Sequence, residues 1–168
     1  GGEGLASVPG KEAEFAAALV ECLSYVTSLG VKRVNVLPGR CFDESKCEQY
    51  LSTFKRNLNT AAQMFKPLGI TVMFEAINTF DMPGFVIHNV DQMLEIVEDC
   101  EHENIKMQFD IYHMARMEEG DISTIISRLG DKIGHVQFAD APGRGEPGTG
   151  DLDFKSIFYA IEYSTYEG

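Results

Sequence analysis

The chain is 168 residues long, 44% hydrophobic and 24% charged, a length for one domain with a core of ordinary size. With 26 acids against 14 bases, its formal charge of −12 argues against a nucleic-acid partner, since that affinity comes largely from Lys and Arg neutralising phosphates. No apolar run reaches the roughly 18 residues of a membrane span, and the opening GGEGLASVPG lacks the basic-then-apolar layout of a signal peptide, so a cytoplasmic location is the expectation.

In chain order, residues 11–29 place Phe15, Ala18, Leu19, Cys22, Val26 and Leu29 at helical spacing, and Gly30 closes that helix. KRVNVLPG reads as a short strand stopped by Pro38–Gly39. Residues 45–66 form a second long helical pattern, and ITVMFEAIN is a strand that stays apolar until Glu75. A helix over about 89–101 follows, with Asn89 or Asp91 as its cap. IKMQFD is the third strand, DISTIISRL a short helix opened by Asp121, and IGHVQFAD the fourth strand. The Gly/Pro-rich loop APGRGEPGTGDLD and a last helix, FKSIFYAIEYS, complete the pattern.

Apolar strands alternating with helices indicate βα units around a parallel sheet. The expected strand ends Leu37, Glu75, Asp110 and Ala139 lie 38, 35 and 29 residues apart, close to the length of a βα unit. An open doubly wound sheet and a (β/α)8 barrel share this pattern. The glycine-dense stretch Gly143–Gly150 comes late and lacks the G-x-G-x-x-G of a dinucleotide site. Glu75, Asp110 and Gln137 each fall at or near the end of a different strand, and in a barrel those ends converge on the mouth that carries the chemistry. A complete barrel takes about 200 to 250 residues, so the four strands read here belong either to part of a barrel or to an open sheet.

Glu75 alone reads equally as a cap or loop carboxylate, and MQFDIYHM allows Asp110 to be either a helix cap or a metal ligand. Strand alternation puts Gln137 opposite Val136 and Phe138, on the face that would be a barrel interior. Two carboxylates and an amide oxygen make a hard, all-oxygen set suited to Mg²⁺ or Mn²⁺. His113 would share the mouth with Asp110, although a loop or first-turn histidine is often a surface residue. His135 reads as a core histidine, and His88 and His102 as solvent-facing. Arg144, alone among glycines and prolines, suits a carboxylate or phosphate, while its loop by composition is a flexible surface loop. Tyr112, Met114, Met117 and Phe109 read as core or pocket wall, and EDCEHE as a solvated helix end. Cys22, Cys41, Cys47 and Cys100 lack metal or disulfide spacing and read as free thiols.

LGVKRVNVLPG, FEAINTFDMPGF, QFDIYHMARMEEGD and IGHVQFADAPGRGEPGTGDLDF together resemble the hydroxypyruvate isomerase family of the xylose-isomerase-like (β/α)8 barrels, over essentially the whole chain. The resemblance implies a metal-assisted aldose–ketose isomerase without an organic cofactor, interconverting hydroxypyruvate and tartronate semialdehyde through an enediolate in glyoxylate and carbohydrate metabolism. It implies Glu75 as catalytic acid/base and metal ligand, Asp110 and Gln137 as further ligands, and His113, Arg144 and Glu146 as substrate-binding residues. The expected partner is a small hydroxy or oxo acid, with a homo-oligomer compatible with the family.

The family's second catalytic glutamate belongs to a segment resembling GxxxEY, whereas this sequence ends STYEG, and Glu167 is not assigned that role. The expectation is a single partial TIM barrel domain over residues 1–168, the middle and later βα units of a barrel of about 250–260 residues. Its first strands and its last strand would be missing, and the piece alone would be inactive. Other expectations are a 2-oxo-tetronate isomerase, a ketose 3-epimerase, which Gln137 in place of a histidine disfavours, and a non-catalytic half-barrel binding module. A metal-dependent endonuclease of the same superfamily needs a basic groove, which the net charge opposes.

Overall fold

The apolar runs and helical stripes assemble into one parallel sheet backed by helices. The structure, a computed structural model, describes residues 4–100, 102–117 and 120–168. Glu101 of the EDCEHE stretch and Glu118 and Glu119 of MARMEEGD therefore lie outside the described residues. The elements run α1 (Glu12–Leu29), β1 (Arg33–Asn35), α2 (Cys47–Phe65), β2 (Thr71–Glu75), α3 (Val90–Asp99) and β3 (Ile105–Asp110). Then come α4 (Ile111–Met117), α5 (Ile122–Leu129), β4 (Ile133–Gln137) and α6 (Phe154–Tyr163). Among the described residues, no helix is long and apolar enough to cross a membrane.

The strands lie in the order β1-β2-β3-β4, every neighbouring pair parallel. A doubly wound sheet reverses its strand order at a switch point, and this one does not; the winding is that of a barrel arc. The two faces separate by strand parity. Val72, Phe74, Ile105, Met107 and Phe109 join the buried core, with Phe74 in edge-on ring contact with Phe54 of α2 at 5.7 Å. The opposite face carries Asn35, Glu75, Gln108, Asp110, His135 and Gln137, brought alongside one another by the strand register. His135 is half-buried on this polar face, which it shares with Gln137.

Local chemistry sets the element ends. Gly30 takes the left-handed conformation and its N–H bonds Val26 O, closing α1 where expected. Asn89 accepts from Gln92 N at 2.8 Å and Gln92 Oε1 accepts from His88 N at 2.8 Å, a reciprocal cap for α3. Asp121 and Asp153 cap α5 and α6. In α2, Phe54, Leu58, Ala61, Ala62 and Phe65 form the buried stripe that makes it amphipathic.

Three boundaries differ from the sequence expectation. The first strand stops at Asn35, two residues before Leu37, whose carbonyl accepts from Ala6 N instead. The fourth strand stops at Gln137, two residues before Ala139, because the backbone of Asp140 turns to pair with Gly145. Residues 111–117 form α4 directly off β3, and seven residues are too few for helical periodicity to register.

Candidate active site

The C-terminal ends of β2, β3 and β4 bring the candidate residues together. Glu75, the last residue of β2, is 8% exposed, and Asn35 Nδ2 donates to its Oε1 at 2.8 Å. Burial pushes its pKa up; hydrogen bonds from Gln108 and Asn35 oppose the rise, and the charge of Asp110 adds to it. Gln108 Nε2 also donates to Gln137 Oε1 at 3.0 Å. Gln137 is exposed and stands opposite Asp110 in the register.

Asp110 is 5% exposed, and its two oxygens differ in role. Oδ1 accepts from Tyr112 N at 2.9 Å and His113 N at 3.2 Å, capping the first turn of α4. Oδ2 lies 3.5 Å from Arg144 Nη2 and 3.8 Å from His113 Nε2. Asp110 thus caps α4 with one oxygen, as MQFDIYHM allowed, and turns the other toward His113 and Arg144. His113 is 4% exposed; burial pushes its pKa below the usual histidine range, with the charge of Asp110 pulling the other way.

Arg144 reaches this group from the β4–α6 loop, its guanidinium 4.9 Å above the Tyr112 ring. It takes a positive φ of 56°, a conformation that costs an L-residue about 1–2 kcal/mol. The loop is not the free segment its composition suggests. The buried Asp140 carboxylate accepts from the backbone N–H groups of Ala141, Gly148, Gly150 and Leu152 at 2.7–3.2 Å. Gly150 permits this approach, since a Cβ there would stand 2.6 Å from Asp140 Oδ1. Glu146 is exposed, and its carbonyl rather than its carboxylate takes part in the loop, accepting from Thr149.

Thus Glu75, Asp110, His113, Arg144 and Gln137 share one mouth, while the Glu146 carboxylate has no contact with them among the described residues. His88 and His102, expected at the surface, are half-buried away from this group. The four cysteines are free thiols, as read. Asn35, Gln108, Asn78 and Asp140 escape the sequence reading. Strand parity with Glu75 and Asp110 pointed to Asn35 and Gln108; nothing local marked the other two.

Among the described residues, no three His, Cys, Asp or Glu side chains cluster closely enough to share a metal ion. The candidate donor set is two carboxylates and the Gln137 amide oxygen, and its chemistry fits a hard divalent cation. Burial first, and then the neighbouring Asp110 charge, raise the pKa of Glu75, while Arg144 opposes them. Gln108 leaves a lone pair free on Gln137 Oε1.

A model of the xylose isomerase-like TIM barrel family matches residues 2–168. The chain is 41% identical to a hydroxypyruvate isomerase from Escherichia coli over 168 residues, all of this chain and 65% of that protein. It is 34% identical to a 2-oxo-tetronate isomerase from Cupriavidus necator, again over its whole length and 64% of the relative. Its fold superimposes on a crystal structure from Brucella melitensis described as an AP endonuclease, family 2. The TM-score is 0.93 and the identity 31%, covering 98% of this chain and 63% of that one. The chain thus spans just under two thirds of the proteins it matches.

Proposed function

The chain belongs to the xylose isomerase-like TIM barrel family, and from that premise we propose that it carries the catalytic face of a metal-assisted aldose–ketose isomerase interconverting hydroxypyruvate and tartronate semialdehyde. The observation that carries this reading is the placement of buried Glu75 beside Asp110, with His113 and Arg144 on the same mouth. The 41% identity to the E. coli hydroxypyruvate isomerase supports the substrate.

Isomerisation removes a proton from the hydroxymethyl carbon next to the ketone and returns one to the former ketone carbon, while the hydroxyl hydrogen passes to the former ketone oxygen. Glu75 is the base that takes it, and the burial that raises its pKa brings its proton affinity closer to the operating pH, where transfer in both directions is efficient. His113 and Arg144 are donors that orient the substrate and offset negative charge on its oxygens. Asn35 and Gln108 hold the Glu75 carboxylate in place. Mg²⁺ or Mn²⁺ would be held by Glu75, Asp110 and Gln137 and would supply Lewis-acid polarisation of a substrate oxygen.

Because the chain spans 65% of the E. coli relative, the test is turnover of hydroxypyruvate by a complete barrel that carries this chain, purified with Mg²⁺ or Mn²⁺, then with a chelator, then for Glu75→Gln. Metal-dependent turnover is expected, with Glu75→Gln lowering kcat by about 10²–10⁴-fold. A metal-replete protein that turns over neither hydroxypyruvate nor a 2-oxo-tetronate overturns the proposal. The 34% identity to the C. necator enzyme favours 2-oxo-tetronates as the second substrate class, and kcat/KM on both decides between them.

A further inference from the structure

Asn78 lies behind His113 with 0% exposure, and its amide orientation follows from its neighbours. Oδ1 accepts the backbone N–H of Asp81 at 2.9 Å, while Nδ2 faces the Asp81 carboxylate at 3.0 Å. Turning the amide over would set oxygen against carboxylate and NH₂ against N–H, so a single orientation satisfies both contacts. The remaining hydrogen on Nδ2 then faces His113 Nδ1 at 2.7 Å. The backbone N–H of Asn78 donates to the same ring nitrogen at 3.4 Å.

A ring nitrogen that receives two donors cannot carry a hydrogen of its own, so the imidazole hydrogen sits on Nε2. That nitrogen lies 3.4 Å from Arg144 Nη2. Both are donors, so this is no hydrogen bond between them; they stand side by side, each also near Asp110 Oδ2. Asp81 steadies the arrangement from behind, its Oδ2 accepting from Tyr112 Oη at 2.6 Å while Arg116 Nη1 lies 3.4 Å from Oδ1.

We infer that Asn78 is the positioning residue that fixes His113 as an Nε2–H donor, so that His113 and Arg144 form a two-donor seat for one anionic oxygen of a bound oxo acid. His113 then gives a hydrogen bond and does not shuttle protons through Nε2, which leaves proton transfer to Glu75. The identity of the seated oxygen rests on the proposed function; the tautomer does not.

Nitrogen-15 NMR of the full chain separates a protonated ring nitrogen from a bare one, and the signals of His113 are assigned by their loss in His113→Gln. In the unaltered protein Nδ1 is expected bare and Nε2 protonated. Asn78→Asp replaces the donor with an acceptor of the same size and is expected to move the hydrogen to Nδ1. It should also lower kcat on hydroxypyruvate by about 10²-fold, the usual effect of losing an oxyanion donor, with a smaller change in KM. An unaltered His113 protonated at Nδ1 overturns the inference, as does a folded Asn78→Asp protein that keeps its hydrogen on Nε2. Should that variant fail to fold, the unaltered spectrum decides alone. Nε2–H in a protein without oxo-acid turnover removes the proposed function and leaves the tautomer assignment standing.

Discussion

As the proposed base, Glu75 sets function against stability. Its carboxyl is more easily protonated folded than unfolded, chiefly through burial, so its contribution to stability is fully present below the ordinary glutamate range and lost as pH rises through its raised value. With a chelator present, Glu75→Gln is therefore expected to raise Tm near pH 7. The gain should shrink to nothing as pH falls through that range, and thermal melts across pH check it; a variant less stable than the parent at pH 7 would contradict the assignment. Asp140 works in the opposite sense: burial raises its pKa, and the four backbone donors outweigh burial and leave it below the usual range. Asp140→Ala is expected to speed hydrogen exchange at the amides of Gly148, Gly150 and Leu152 by about tenfold or more, since local opening governs that rate. By misplacing Arg144 it should also reduce kcat/KM by up to about 10²-fold, the scale of a 1 Å displacement.

The helices and strands were largely legible because each carries its own pattern: the Phe54–Phe65 stripe of α2, the capping residues Asn89 and Asp121, and apolar runs ending on Glu75 and Asp110. Asn78 was not legible, because its role lies in a contact with a side chain 35 residues away. Nor was Asp140, whose partners are backbone amides up to 12 residues downstream and have no signature in residue type. The face that His135 shares with Gln137 was legible from alternation along the strand, and the register of β3 and β4 sets it beside Gln108. Packing of the elements makes its own prediction. Phe54 is fully buried between α2 and β2, and Phe54→Ala should cost about 3–5 kcal/mol in chemical denaturation.

For the molecule as a whole, the formal charge of −12 opposes association of copies of the chain by mutual repulsion. Self-association of the chain is therefore expected to increase with salt, as screening shortens from about 30 Å at 0.01 M to about 3 Å at 1 M. Sedimentation velocity at low and high salt measures this, and a distribution unmoved by salt would refute it. The fastening of the β4–α6 loop at Asp140 has a consequence for how such a molecule can diversify. Because one carboxylate clasps residues 141 and 148–152, the tip that carries Arg144 is an exchangeable cassette on a fixed clasp. On the proposed function, new substrate preferences can be grafted there while the frame beneath keeps its shape.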